Sequence, residues 1–263
     1  MDRERLKELL KPIAEGLMGK RQPYPAEQEN AEIWPVGVIA EDLCEIPEED
    51  WYRYAFSREP LNGRFNDGTR HDLMLQAISC GRDNALKYEE LYKTKDPWKM
   101  AEQMNIKVDR PDMPQSKDRV LFAEYREPDT VHIFEDGMEK AAVTLKEPGI
   151  PDAIAGVGQI RDILLSHELF HWIEVHHKKE IWTLTYKTEL WAPKPFHNRS
   201  GVAVLGEIAA MAFAKKLTGI SFSPYVLDAL LVYGYSPAAA GALYREMMNH
   251  AGKEPRQMKG ESV

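Results

Sequence analysis

The sequence predicts an α+β fold, and three observations lead there. Apolar residues recur with a 3.6-residue period in several separate stretches, and the period shortens to two between Asp118 and Phe134. One of the helical stretches, Ile160 to His177, carries the run His167-Glu168-Leu169-Phe170-His171. Positions four apart stand one above the other on a helix, so His167 and His171 present both imidazoles to one point. That spacing is a two-ligand clamp for zinc. Glu168 lies about 100° further round the helix, where its carboxylate can reach a water in the metal's open position and act as general base. A second apolar stripe, Leu165, Leu169, Trp172 and His176, runs behind the ligands and predicts that this helix lies inside the domain. His176, His177, Lys178 and Lys179 at its end complement the negative end of a helix and need no second metal.

With 263 residues and 43% hydrophobic content, the chain can bury a substantial core, and disorder throughout is excluded. A net charge of −8 argues against a protein that holds nucleic acid over a broad basic surface, so no direct nucleic-acid contact is expected. Met1-Asp2-Arg3-Glu4-Arg5 opens a charged helix rather than an apolar export signal, and no apolar run is long enough to span a bilayer. A cytoplasmic protein with no membrane contact is the expectation. Cys44 and Cys80 have no C-x-x-C spacing and read as buried free thiols.

In chain order, Asp2 to Lys20 places Leu6, Leu9, Leu10, Ile13, Leu17 and Met18 on one helical face, an amphipathic helix that must pack on something else. Prolines 23, 25 and 35 make residues 21–35 a connection, and a short strand is expected at Val36 to Ile39. Glu41 to Asp67 mixes acids, aromatics and the turn signal Asn66-Asp67-Gly68. Arg70 to Lys93 reads as a helix that Gly81 divides, and Asp96-Pro97 starts another, an acid at the N-cap with proline at the first helical position. Asp118 to Tyr125 and Thr130 to Phe134 read as two strands of a hairpin turned at Glu127-Pro128-Asp129. Its edge could hold an extended peptide by backbone hydrogen bonds.

Gly137 to Lys146 is expected to be helical and Pro148 to Gly158 a loop before the histidine helix. Residues 178–200, rich in aromatics and prolines, form a connection long enough to cover a cleft. Val202 to Leu217 is the next helix, with Lys215 and Lys216 in its last turn and Gly219 just beyond. It contains one acid, Glu207, among alanines, and an isolated carboxylate there is expensive unless paired or metal-bound. Glu207 is therefore the preferred third ligand, with Glu174, Glu189 and His197 as the other candidates. Asp228 to Tyr233 and Pro237 to His250 supply two further helices, and a polar end from Gly252 is expected to fray.

These residues together resemble the ImmA/IrrE family of zinc-dependent metallopeptidases, a branch of the gluzincins. The likeness runs from roughly Tyr88 to Met248: "MNIKV" before the hairpin, "LLSHELFHWIE", the E-x-x-A-x-x-F-A pattern at Glu207, Ala210, Phe213 and Ala214, and "YGYSPAAAGALYREM" from Tyr233. The resemblance implies a zincin-like core, zinc ligands at His167, His171 and Glu207, and Glu168 as base. It also implies relatives that cleave DNA-binding repressor proteins. On this reading residues 1–85 are a mostly helical extension, 86–252 the metallopeptidase domain and 253–263 a flexible tail. Tyr186, His197 and Tyr225 are candidates for the donor that steadies an oxyanion. The competing reading is a non-catalytic interaction protein that keeps zinc for structure. A base at Glu168 has no use in such a protein.

Overall fold

The computed structural model describes residues 33–112, 121–191 and 198–256. The helix expected over Asp2 to Lys20, most of the 21–35 connection, the start of the strand expected over Asp118 to Tyr125, His197 and the tail from residue 257 lie outside them. Within the described residues the fold is α+β, helices surrounding a small mixed sheet.

Val36–Cys44 is a helix, α1, where a strand was expected. The short apolar run has two readings, and the buried positions Val36, Ile39, Ala40 and Leu43 follow the i, i+3, i+4, i+7 spacing that only a longer window reveals. Gly37 is the point of closest approach, since a Cβ there would lie 2.5 Å from the Pro148 carbonyl oxygen. After a 3-10 turn at Glu48–Trp51 comes α2, Tyr52–Phe56.

The long helix α3 spans Asp67–Tyr92 without a break. Asn66 caps it by accepting the Thr69 N–H, so the expected Asn66-Asp67-Gly68 turn is a helix start. Gly81 does not divide α3. It lets α3 touch another helix, because a Cβ there would meet the Ala209 carbonyl oxygen at 2.1 Å. The boundary drawn from the sequence at residue 85 falls inside α3. Helix α4, Pro97–Gln103, follows its Asp96 cap, whose carboxylate accepts the N–H groups of Trp98 and Lys99.

Three strands form the first sheet: β1 Lys107–Asp109, β2 Ala123–Arg126 and β3 Thr130–Ile133. Their order is β1-β3-β2, with β2 antiparallel and β1 parallel to β3. The expected hairpin is thus present, and β2 is an edge. Val131 and Ile133 are fully buried on the face toward the core.

Helix α5, Glu135–Thr144, leads to α6, Val157–His176, the histidine helix. Residues 178–200 are more structured than an irregular cover: they contain α7 (Trp182–Thr185) and a two-stranded antiparallel ribbon, β4 (Thr188–Trp191) with β5 (Asn198–Ser200). Ile181 and Thr183 are buried there, which fastens α7 to the core. Helix α8, Val204–Thr218, ends as expected on Gly219 in the left-handed conformation, with φ 74°. Two helices close the chain, α9 at Val226–Tyr233 and α10 at Pro237–His250, the latter capped by Ser236.

Helix α8 is the centre of the molecule, packed on α3 along one side and on α6 along another. Its alanines 209, 210, 212 and 214 are buried and permit both approaches. The start of the polar end is held rather than frayed: Arg256 sits 2.5 Å from the buried Asp42 carboxylate and also reaches Glu41 and Glu45 on or beside α1. Both cysteines are free thiols, Cys80 buried and Cys44 half-buried, and burial pushes the Cys44 thiol up to about 11. Among the described residues no helix is long and apolar enough to cross a membrane.

Candidate metal centre

Helix α6 forms because Ile160, Ile163, Leu165, Leu169, Phe170 and Ile173 bury its inner surface while Gly156, at φ 124°, turns the chain into its first residue. This leaves His167 and His171 one turn apart at the margin of the core, 13% and 21% exposed. Their Nε2 atoms are 3.0 Å apart. Glu207, in the first turn of α8, brings its carboxylate to 3.4 Å from His167 Nε2 and 3.5 Å from His171 Nε2. Among the described residues these three are the group able to hold a metal ion, each offering one ligand atom within 4.8 Å of the others.

Glu207 stands there for a different reason from the one the sequence suggested. Its side chain is 54% exposed, so no burial penalty demands a partner. Its place is set by the start of α8, where Glu59, a buried carboxylate from the loop after α2, accepts the Val204 N–H at 3.0 Å and the Leu61 N–H at 3.0 Å. The N-terminal part of the chain therefore anchors the helix that carries Glu207.

Two imidazole nitrogens facing each other at 3.0 Å are joined either by an N–H···N hydrogen bond or by a metal cation between them. The carboxylates around the His171 imidazole favour its charged form. Burial works to lower its pKa, but the carboxylates of Glu207, Glu174 and Glu168 outweigh burial and hold it up to about 10.

Glu168 is buried, and its carboxylate accepts the backbone N–H of Tyr125 on β2 at 2.7 Å. The register explains why that N–H is available. Phe134 donates to the Phe122 carbonyl, so Phe122, Glu124 and Arg126 bond to β3, while Ala123 and Tyr125 turn their backbone groups to the open edge. That edge faces α6. The hairpin turn is tied to the same helix, with Asp129 accepting the Trp172 indole N–H at 2.9 Å. Trp172 stacks on His176 at 3.9 Å, so the outer half of the expected apolar stripe holds the hairpin at the margin of the core.

The remaining candidates separate. Glu174 lies on the far side of the His171 ring, 3.1 Å from Nδ1, and is not grouped with the ligand atoms. Glu189 is on β4 and outside the group as well. Tyr225 is buried and stacked on Trp51 with ring centroids 5.4 Å apart. Its hydroxyl makes no hydrogen bond among the described residues, and burial, then the charge of Glu207, raises its pKa well above the usual phenol range. Tyr186 caps the end of α7 and leans on Trp182. Sequence reasoning missed the Tyr125 N–H, which no side-chain pattern can reveal. It also missed Glu174 as a partner of His171, although the i, i+3 spacing on a helix signals that contact. Comparison with protein-family models, with curated proteins and with solved structures finds no match to this chain.

Proposed function

We propose that the chain is a zinc-dependent metallopeptidase of zincin-like architecture, with His167, His171 and Glu207 as metal ligands and Glu168 as general base. The observation that carries this reading is the meeting of His167 Nε2 and His171 Nε2, 3.0 Å apart, with the Glu207 carboxylate, one oxygen of which lies 3.4 Å from the first and the other 3.5 Å from the second. Zinc bonds of about 2.0–2.1 Å at tetrahedral angles space neighbouring ligand atoms about 3.3–3.4 Å apart, a spacing that groups lying within 4.8 Å of one another can reach by small side-chain adjustments. The donor set of two imidazoles and one carboxylate suits zinc, and the exposure of Glu207 leaves the fourth direction toward solvent. A zinc ion bound there supplies a Lewis acid for the scissile carbonyl and for the attacking water.

The protein's own groups supply the rest. The Glu168 carboxylate takes a proton from the attacking water and returns it to the leaving amine. The N–H of Tyr125 holds one oxygen of that carboxylate, leaving the other to face the reacting atoms. An extended substrate lies along the open edge of β2, where the Ala123 N–H and C=O and the Tyr125 C=O remain to pair with it. The substrate class suggested by the ImmA/IrrE resemblance is a DNA-binding repressor protein, cut in an exposed linker.

Glu168→Gln tests the reading. It keeps the side-chain shape but cannot accept the proton, so zinc and fold should persist while hydrolysis of a repressor-type protein falls by about 10²–10⁴-fold. If wild type and variant hold zinc in a closed four-ligand site and are equally inactive, the chain is an interaction protein with structural zinc.

A further inference from the structure

We propose that Glu174 is a positioning residue for the metal centre, holding His171 so that Nε2 and not Nδ1 faces the metal. The inference rests on the reading of His167, His171 and Glu207 as ligands.

An imidazole can present either nitrogen, and which one is free depends on what the other is bonded to. The Glu174 carboxylate, through Oε2, lies 3.1 Å from His171 Nδ1. A carboxylate is only an acceptor, so Nδ1 keeps its hydrogen, and the nitrogen left to give up its proton and present a lone pair to a metal is Nε2, which points at His167 and Glu207. Oε1 of Glu174 accepts the Thr183 hydroxyl from α7. Both oxygens are thus committed, and the residue is only 6% exposed, so it is held in one orientation.

Room for this carboxylate comes from α8. A Cβ at Gly206 would lie 2.9 Å from both Glu174 oxygens, so any larger residue there would push the carboxylate away from His171. Gly206 directly precedes Glu207, so one turn of helix supplies both a ligand and the space that the positioning carboxylate needs. Three consecutive structural pieces, α6, α7 and α8, converge on Glu174.

A merely structural ion pair would alter the melting of the metal-free protein and leave the zinc affinity of the folded protein alone. A positioning role moves the affinity itself. The test is titration of the metal-free protein with Zn2+ against a chromophoric chelator, alongside thermal melts without metal. Glu174→Gln and Gly206→Ala should each weaken zinc binding by about 10–100-fold, the range for loss of such a partner. Thr183→Val should weaken it less. Nitrogen-15 spectra of the zinc-loaded protein should show His171 bound through Nε2 in wild type and mixed coordination in Glu174→Ala. Affinities within twofold of wild type for both Glu174→Gln and Gly206→Ala, in folded protein that binds zinc, would overturn the proposal. Failure of the wild type to bind zinc would instead overturn the ligand assignment, and this proposal with it.

Discussion

The Tyr125 backbone N–H and the Glu168 carboxylate meet at 2.7 Å, which joins the open edge of the sheet to the middle of the histidine helix. This single bond fixes the gap between strand β2 and helix α6 at the level of His167 and His171. The second tie, Asp129 to Trp172, fixes it one turn of helix further on.

Tyr125→Pro removes that N–H without touching the β2–β3 ladder, because the group faces the open edge, where proline is tolerated. The circular dichroism spectrum and zinc content should match wild type. Hydrolytic turnover should fall about 10–100-fold, since a hydrogen bond to a charged group contributes about 1.5–3 kcal/mol. Tyr125→Phe, which keeps the N–H, should stay near wild type.

His171→Ala should reduce bound zinc from one per chain to none, as measured by elemental analysis after gel filtration, because two ligands of different helices cannot hold the ion alone. Glu207→Gln should weaken zinc affinity first and activity as a result. Retained stoichiometry in His171→Ala would remove this residue from the centre.

Much of this centre could be read in advance, and what could not be read was non-local. The i, i+4 spacing put His167 and His171 side by side because helix geometry is local and periodic. Glu207 was singled out by its isolation among apolar residues, yet it is half exposed, and its position depends on Glu59 far away in the chain. Val36 to Ile39 was misread because three apolar residues around a glycine fit a strand as well as a helix. Strand β1 was not foreseen, since three residues paired in parallel leave no periodic trace. The contact between Tyr125 and Glu168 uses a backbone group, which looks the same in every residue but proline.

Gly81→Ala should destabilise the fold by about 3 kcal/mol or more, seen as a lowered denaturant midpoint with unchanged slope. The added methyl would overlap the Ala209 carbonyl, which is backbone and cannot rotate away. Gly63→Ala, with nothing within 4 Å, is the matched control and should leave the midpoint nearly unchanged.

Asp67 reports on acid stability. Hydrogen bonds from Arg53 and Tyr52 pull its carboxyl from 3.8 down to about 2. A depressed folded-state pKa means that the stabilisation is present above pH 3.8 and is lost as pH falls through about 2. The melting temperature of Asp67→Asn should therefore lie below wild type at neutral pH, by a small margin because the pair is exposed, and the two should converge near pH 2. A constant gap across that range would show that the charge of Asp67 contributes nothing to stability.

The contact of Gly81 with Ala209 joins positions 128 residues apart in the sequence. During synthesis α3 therefore emerges from the ribosome long before the surface that covers it, with Leu73, Met74, Ala77 and Ala85 still facing water. Glu207 lies on the same late-arriving helix, so the nascent chain closes its core and brings Glu207 to His167 and His171 in one step. If the proposed zinc reading holds, the ion should be taken up only by chains in which α8 has already packed on α3 and α6.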